Sequence, residues 1–399
     1  MYMDPDKSQN ADTACKLMDD FLDRTGISGA GGDIKRRYLW TDAFAVQACF
    51  ALARQYDNND YYRHALKLID QVHFTLGRHR PDDVRTGWIS NLSEDEGREN
   101  PVSNGLRIGK NLPERPEGES YNPGTEWNRD GQYFHYLTRW FNTLIQAFRE
   151  TGEKRYAELA VELIKAGGKF IRKDGDSVRM VWKMNIDLTE PVVETMGAHD
   201  PLEGLLCVIT AMILVPGSRH ELEPLREEMT ALCRGMNWFT DDPLGIGGLL
   251  LNTARSFELG KRDEKLPSGI RPASLFAAAL DGLQIFSGNV YDHRQPPEYR
   301  LAFRECGLSL GFRVLYGLRE SFSSFNINLD KLSHYLALAN EIENFWTTER
   351  SRQSLTWSDH RDINAVSLAS SILANGLPQA FSSDISINPE DQDSATGNE

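Results

Sequence analysis

Residues Glu126 to Tyr136 read Glu-Trp-Asn-Arg-Asp-Gly-Gln-Tyr-Phe-His-Tyr. Two carboxylates (Glu126, Asp130), an imidazole (His135), two tyrosines, Trp127 and the amides of Asn128 and Gln132 crowd into one short stretch. Carboxylates and imidazoles move protons, amides hydrogen-bond to hydroxyls, and aromatic rings lie against C–H surfaces. Such a set suits a sugar, which offers hydroxyls at its edge and C–H groups on its face. A second group of the same kind is His199-Asp200-Pro201-Leu202-Glu203-Gly204. There the proline fits the first turn of a helix and aims Asp200 at whatever faces that end. Glu203, three residues on, is placed equally well to close a capping box with Asp200.

Helical periodicity runs through almost the whole chain. Apolar residues spaced by three and four predict helices near 11–24, 40–56, 60–78, 129–151, 154–172, 199–214, 219–238, 243–258, 271–287, 299–319, 330–347 and 361–374. Only 176–188 alternates weakly enough to be a strand or hairpin.

The connections alternate in length. Short ones, such as Thr151-Gly152-Glu153 and Pro216-Gly217-Ser218, alternate with long ones, such as 80–128. A stack of helical hairpins gives this alternation and brings the long loops to one end. Every second helix opens on a polar, aromatic-rich segment. These are Arg37-Tyr38-Leu39-Trp40-Thr41-Asp42, Glu126 to Tyr136, His199 to Gly204, Asp241 to Gly245, Tyr291-Asp292-His293, and Trp357 to Asp362. N-caps account for a lone Thr41 or Asp359, but not for Trp, His, Gln and Tyr beside them. Six inner helices with their N-termini on one pocket, wrapped by six outer helices, account for all of these starts. Helix N-termini also supply unpaired amide groups to such a pocket.

With this hairpin count, with 36–42 and 126–136, and with the closing Trp357-Ser358-Asp359-His360, the chain resembles the six-hairpin glycosidase-like superfamily. The resemblance covers roughly residues 10–380. It implies an all-α (α/α)6 toroid with one small β-hairpin insertion, with its pocket at the N-terminal ends of the inner helices, and carbohydrate chemistry. The superfamily includes inverting glycoside hydrolases, unsaturated glucuronyl hydrolases and N-acylglucosamine 2-epimerase-type proteins, so the fold does not choose the reaction.

Hydrolysis with inversion needs one carboxylic acid to protonate the leaving oxygen and one carboxylate to activate water. Glu126 or Asp130 and Asp200 or Glu203 are the candidates on adjacent inner helices. The leading pair is Asp130 as acid, with Gly131 leaving space beside it, and Asp200 as base. Arg37, Trp40, Asp42, Trp127, Gln132, Tyr133, His135, Glu203 and Trp357 are the candidate substrate-binding residues, the aromatics as stacking faces that serve a core equally well.

Epimerisation instead needs a base beside a carbonyl. Relatives of the epimerase type use paired histidines and an arginine, which here would be His199, His360 and Arg37. The family's two histidines lie one residue apart, and this chain has Asp200 at the second position. A non-catalytic toroid binding a sugar or a protein is the third reading, favoured if the pocket carboxylates are tied to Arg37 or Arg129.

The rest of the sequence bounds these readings. The 399 residues are 40% hydrophobic and 26% charged, with net charge −14, which argues against nucleic-acid and anionic membrane partners. No signal peptide or membrane-length apolar run is read, and five scattered cysteines without a Cys-x-x-Cys pair read as free thiols, so the expected location is the cytoplasm. No metal-ligand spacing is found, and no metal or cofactor is expected. Residues 1–10 are expected as a flexible N-terminus, 11–380 as one catalytic toroid and 381–399 as a disordered acidic tail. The 80–128 insertion is expected as an ordered lid, its Arg78, Arg80, Arg107 and Arg115 able to hold an anionic group or to pair with nearby acids. The sugar, its linkage and the oligomeric state are not legible.

Overall fold

A computed structural model describes residues 5–29, 36–116, 118–175, 177–262, 266–290, 295–322, 329–333 and 335–374. The expected tail, 381–399, and the inner-helix start at 291–293 lie outside these residues.

Twelve main helices are found among the described residues. They are α1 (Pro5–Arg24), α2 (Leu39–Tyr56), α3 (Asn59–Leu76), α4 (Phe134–Thr151), α5 (Lys154–Gly167), α6 (Asp200–Leu214), α7 (Arg219–Cys233), α8 (Pro243–Gly260), α9 (Pro272–Ile285), α10 (Ala302–Gly317), α11 (Leu336–Thr347) and α12 (Arg361–Ile372). The even-numbered helices pack in order, α2 on α4, α4 on α6, α6 on α8, α8 on α10 and α10 on α12, and α12 returns to α2, closing the ring. Outside it, α3 lies on α2, α5 on α4 and α6, α7 on α6, α9 on α8 and α11 on α10. The first of the described helices, α1, backs the last of them, α12.

The sequence separates the two layers. Outer α3 buries Tyr61, Ala65, Leu68, Ile69, Val72 and Leu76, one stripe at three- and four-residue spacing. Inner α6 is buried almost all round, from Asp200 through Leu214, because it touches neighbours on both sides and a helix behind. Where α8 meets α10, small residues allow the backbones to touch: a Cβ on Gly247 would sit 2.2 Å from the Gly307 carbonyl oxygen. No helix among the described residues is long and apolar enough to cross a membrane. The five cysteines are free, and all but Cys15 are buried.

Several local features differ from the sequence expectation, among them outer helices α5, α7 and α11, which are five or six residues shorter at one end than the expected 154–172, 219–238 and 330–347. The helix starts at Phe134, not at 129: Glu126 ends a short turn (Pro123–Glu126), and β1 (Gln132–Tyr133) comes before the helix. Gly131, at φ +144, makes this possible, since a Cβ there would lie 2.6 Å from the Met184 carbonyl oxygen. The strand content also exceeds one hairpin. A hairpin is present, but it is formed by β2 (Ile171–Asp174) and β3 (Ser177–Met180) and starts before the expected 176–188, while β1, β4 (Lys183–Met184) and β5 (Pro191–Val193) form a three-stranded antiparallel sheet in the order β1-β4-β5. Finally, α1 begins at Pro5, inside the expected N-terminal tail.

The 80–128 insertion is packed into the body. Val102, Leu106 and Ile108 are buried, and the Ile108 backbone bridges Gly131 and Leu39, bonding both at about 3 Å. The segment 106–110 is therefore a strut between the approaches to α2 and α4.

Candidate active site at the start of the inner helices

Aromatic rings from three elements meet at the start of the inner helices. β1 and the first turn of α4 contribute Tyr133, His135 and Tyr136, the link between β3 and β4 contributes Trp182, and the start of α2 contributes Tyr38 and Trp40. Trp182 lies 4.8 Å from Tyr133 and stacks on His135 at 5.9 Å and 7°. His135 meets Tyr136 edge-on at 4.8 Å, and Tyr136 is 5.4 Å from Trp40. The Tyr38 and Tyr136 hydroxyls share a hydrogen bond at 2.6 Å. Trp127, 55% exposed, extends this wall outward, 5.9 Å from Trp182. The Lys110 ammonium stands 4.9 Å from the Trp127 ring and 5.4 Å from Tyr38. Burial, then Lys183 and Arg36, lower Lys110 to about 8. Burial lowers His135 to about 4, so its ring is neutral at pH 7.

Below this wall, the first turn of α6 sets two carboxylates in opposite surroundings. Glu203 accepts from the Thr138 hydroxyl at 2.7 Å and from the Arg139 guanidinium at 2.9 Å. Burial would raise it, but Arg139 and Thr138 outweigh burial and hold it below the usual range. Asp200 has no such partner. Its Oδ2 is buried without a hydrogen bond, and burial, reinforced by Glu203 and only partly offset by a hydrogen bond with the Gly197 backbone, pushes it up to about 8. Arg139 also lies 5.2 Å from the Trp40 ring, which ties the carboxylates to the aromatic wall. His199, just before α6, is bonded through Nε2 to the Trp238 carbonyl at 2.9 Å, and burial lowers its pKa.

No family model matches the sequence, and no curated protein matches it. Solved structures do match. The GH76A α-1,6-mannanase of Salegentibacter sp. HEL1_6 superposes with TM-score 0.53 at 11% identity, over 92% of this chain and 99% of that one. Inactive variants of it with two aspartates replaced, in complex with α-1,6-mannotriose and α-1,6-mannotetrose, superpose over the same shares at 10% identity, with TM-scores 0.54 and 0.55. The chain has the (α/α)6 toroid fold.

Within this toroid, several residues singled out from the sequence are structural anchors. Asp130 is fully buried and accepts from Arg107 Nη1 (2.5 Å), the backbone N–H groups of Gly109 (2.9 Å) and Lys110 (3.3 Å), and Arg80 Nη1 (3.5 Å). Four donors occupy a carboxylate's acceptor sites, so Asp130 suits holding the 107–110 strut rather than giving a proton. Glu126 accepts from the fully buried Lys183 ammonium at 2.8 Å, with Arg115 Nε 3.3 Å away. Gln132 donates to the carbonyls of Asn104 and Ile186, at 2.9 and 2.7 Å. Arg37 donates to the Thr25 carbonyl at 2.8 Å and lies 3.7 Å from Asp42. Asp42 accepts from the Tyr38 N–H at 3.0 Å, and burial raises it to about 6 despite Arg37. Trp357 is buried against Trp346, with centroids 5.9 Å apart. His360 is exposed before α12, edge-on to Phe303.

The toroid thus brings together Trp40, Trp127, Tyr133, His135, Asp200 and Glu203 from the expected set. It adds Tyr38, Lys110, Tyr136, Arg139 and Trp182, which the sequence reading did not select. A signal existed for Arg139, four residues after His135 and so on the same helical face. None existed for Trp182, whose place depends on the pairing of β4 with β1.

Proposed function

We propose that this protein is an inverting glycoside hydrolase, with Asp200 as general acid and Glu203 as general base. The observation that supports this most is the contrast between the two carboxyl groups on one helix turn: Glu203 is held by Arg139 and Thr138, while Asp200 Oδ2 is buried without a hydrogen bond, which favours an ionised Glu203 and a protonated Asp200. Two carboxyls whose surroundings push their pKa values apart divide acid and base roles between them. Asp200 protonates the leaving glycosidic oxygen, and Glu203, oriented by Arg139 and Thr138, takes a proton from the attacking water. Trp127 and the Trp182–Tyr133–His135 stack offer faces to the sugar rings, and Lys110 donates to hydroxyls. An α-1,6-linked manno-oligosaccharide is the first substrate to try, because such oligosaccharides are bound by the mannanase variants of the same fold.

Two consecutive aspartates, Asp241 and Asp242, precede α8 in this chain. Asp242 there caps the Gly245 N–H at 2.9 Å and pairs with Arg304, which commits it elsewhere. The epimerase reading draws less support, since it needs two imidazoles on one open-chain sugar. Here His199 is tied to Trp238 and His360 sits beside Phe303. The binding-only reading is favoured by pocket carboxylates paired with Arg37 or Arg129, and of the candidates only Asp42 is so placed, while Glu203 pairs with Arg139. Arg37 faces Asp42, and Arg129 pairs with Glu119.

The test is proton NMR of the protein in heavy water with α-1,6-mannotetraose and, in the same tube, free mannose. Consumption with the β-anomer appearing first supports the proposal. Deuterium entering free mannose with every glycosidic bond intact would replace it with the epimerase reading.

A further inference from the structure

The far end of the ring, away from the proposed sugar site, holds a cavity of about 60 Å³. It is lined by residues late in the inner helices: Gln146 and Arg149 of α4, Thr210 of α6, Arg255 and Glu258 of α8, and Arg262 just beyond. This volume holds about four to six water-sized spheres, the size of one tetrahedral oxyanion.

Charge and hydrogen bonding favour such an occupant. The guanidiniums of Arg149 and Arg255 line the cavity with one carboxylate, Glu258, which already has the Lys261 ammonium 3.4 Å away. Arg255 is buried and held in place by Asn252 Oδ1 and Cys207 Sγ, which accept from its guanidinium at 3.3 Å each. Burial and then Arg262 depress Arg149 to about 10, with Arg255 adding to the repulsion and Glu258 offsetting part of it. Arginines at helix C-termini offset the helix dipoles without any ligand. The dipoles do not account for Gln146, which is 1% exposed, lines the cavity and has neither its Oε1 nor its Nε2 hydrogen-bonded.

We propose that this cavity is a binding site for a phosphate-class oxyanion, separate from the sugar site. Hydrogenphosphate carries both acceptor oxygens and an O–H donor, so it satisfies Gln146 Nε2 and Oε1 while neutralising Arg149 and Arg255. Sulfate has no donor at neutral pH and leaves Oε1 unpaired.

The experiment is isothermal titration of the full chain at pH 7 with sodium phosphate, with sodium sulfate and sodium chloride at matched ionic strength as controls. Phosphate binds saturably and more tightly than sulfate. Arg149→Met and the isosteric Gln146→Glu each weaken it by about tenfold or more. Circular dichroism checks the fold of both variants, and Gln146→Glu decides alone if Arg149→Met does not fold. Mannose 6-phosphate in place of phosphate separates two sources: tighter binding means that the phosphate of a sugar is recognised, and weaker binding means that the free ion is. No saturable phosphate binding by the wild type, or variants that bind as the wild type does, overturns the proposal.

Discussion

Asp200 and Glu203 stand one helical turn apart at the start of α6. Arg139 and Thr138 hold Glu203 ionised, while Asp200, with a buried Oδ2 and no hydrogen bond to it, is pushed up to about 8. That asymmetry gives the proposed hydrolase its acid and its base.

The acid must carry its proton to act. The rate therefore holds below pH 8 and falls as pH rises through about 8, where Asp200 ionises. Asp200→Asn removes that limb and lowers kcat by about 10²- to 10⁴-fold, with substrate still bound. Pre-steady-state rates from pH 5 to 9 check this. An unchanged basic limb in the variant would remove Asp200 from the chemistry.

The same shift bears on stability. A carboxyl raised in the folded state contributes stability that is complete below its unfolded value near 4 and is lost as pH rises through about 8. Asp200→Asn keeps the shape without the charge. It is expected to be more stable than the wild type at pH 8 by about 1–3 kcal/mol, the range for a buried polar group without a partner, with the gap closing toward pH 4. Urea unfolding at both pH values measures it.

Gly197 makes room for that carboxyl. A Cβ there would lie 2.5 Å from Asp200 Oδ2. Gly197→Ala is expected to lower the melting temperature and to move the acid, lowering kcat by about 10²-fold among folded molecules, the cost of a displacement of about 1 Å at a reacting group. A wild-type kcat in the alanine variant would show that the carboxyl has slack.

Trp127 is the most exposed ring of the aromatic wall. Trp127→Ala is expected to raise KM by about three- to tenfold with little change in kcat, as for a contact made equally in ground and transition states. Steady-state kinetics on a series of oligosaccharide lengths would show it.

Asp130 predicts the reverse. Asp130→Asn leaves Arg107 buried against a neutral partner, and is expected to cost about 3–5 kcal/mol of stability. Among molecules that stay folded at low temperature, kcat should remain within the range of the wild type. A fully stable but inactive Asp130→Asn protein would return Asp130 to the role of acid.

Much of the architecture was legible because it rests on local pattern. Apolar spacing placed the inner helices at 40–56, 199–214, 243–258 and 361–374, each within two residues of its observed bounds. The alternation of long and short connections separated the inner helices from the outer ones. The boundary at 129 failed for an equally local reason. Gly131 admits a strand turn there, and the partner that draws Gln132 and Tyr133 into a sheet, Lys183-Met184, lies about fifty residues on.

The site was legible by residue type, but not by role. Glu126, Asp130, Asp200 and Glu203 are interchangeable as letters, all acids near helix starts. Only tertiary structure sets Arg107 and the Gly109 and Lys110 amides on Asp130, Lys183 on Glu126 and Arg139 on Glu203, while leaving Asp200 without an arginine. A carboxyl's proton affinity follows from burial and from charges within a few ångströms, and here those charges come from distant parts of the chain. The sequence by itself determined that six hairpins close into a ring with polar, aromatic helix starts at one end, because helical period and turn chemistry are local. The tertiary structure decided which acid is an anchor, which stays ionised and which keeps its proton.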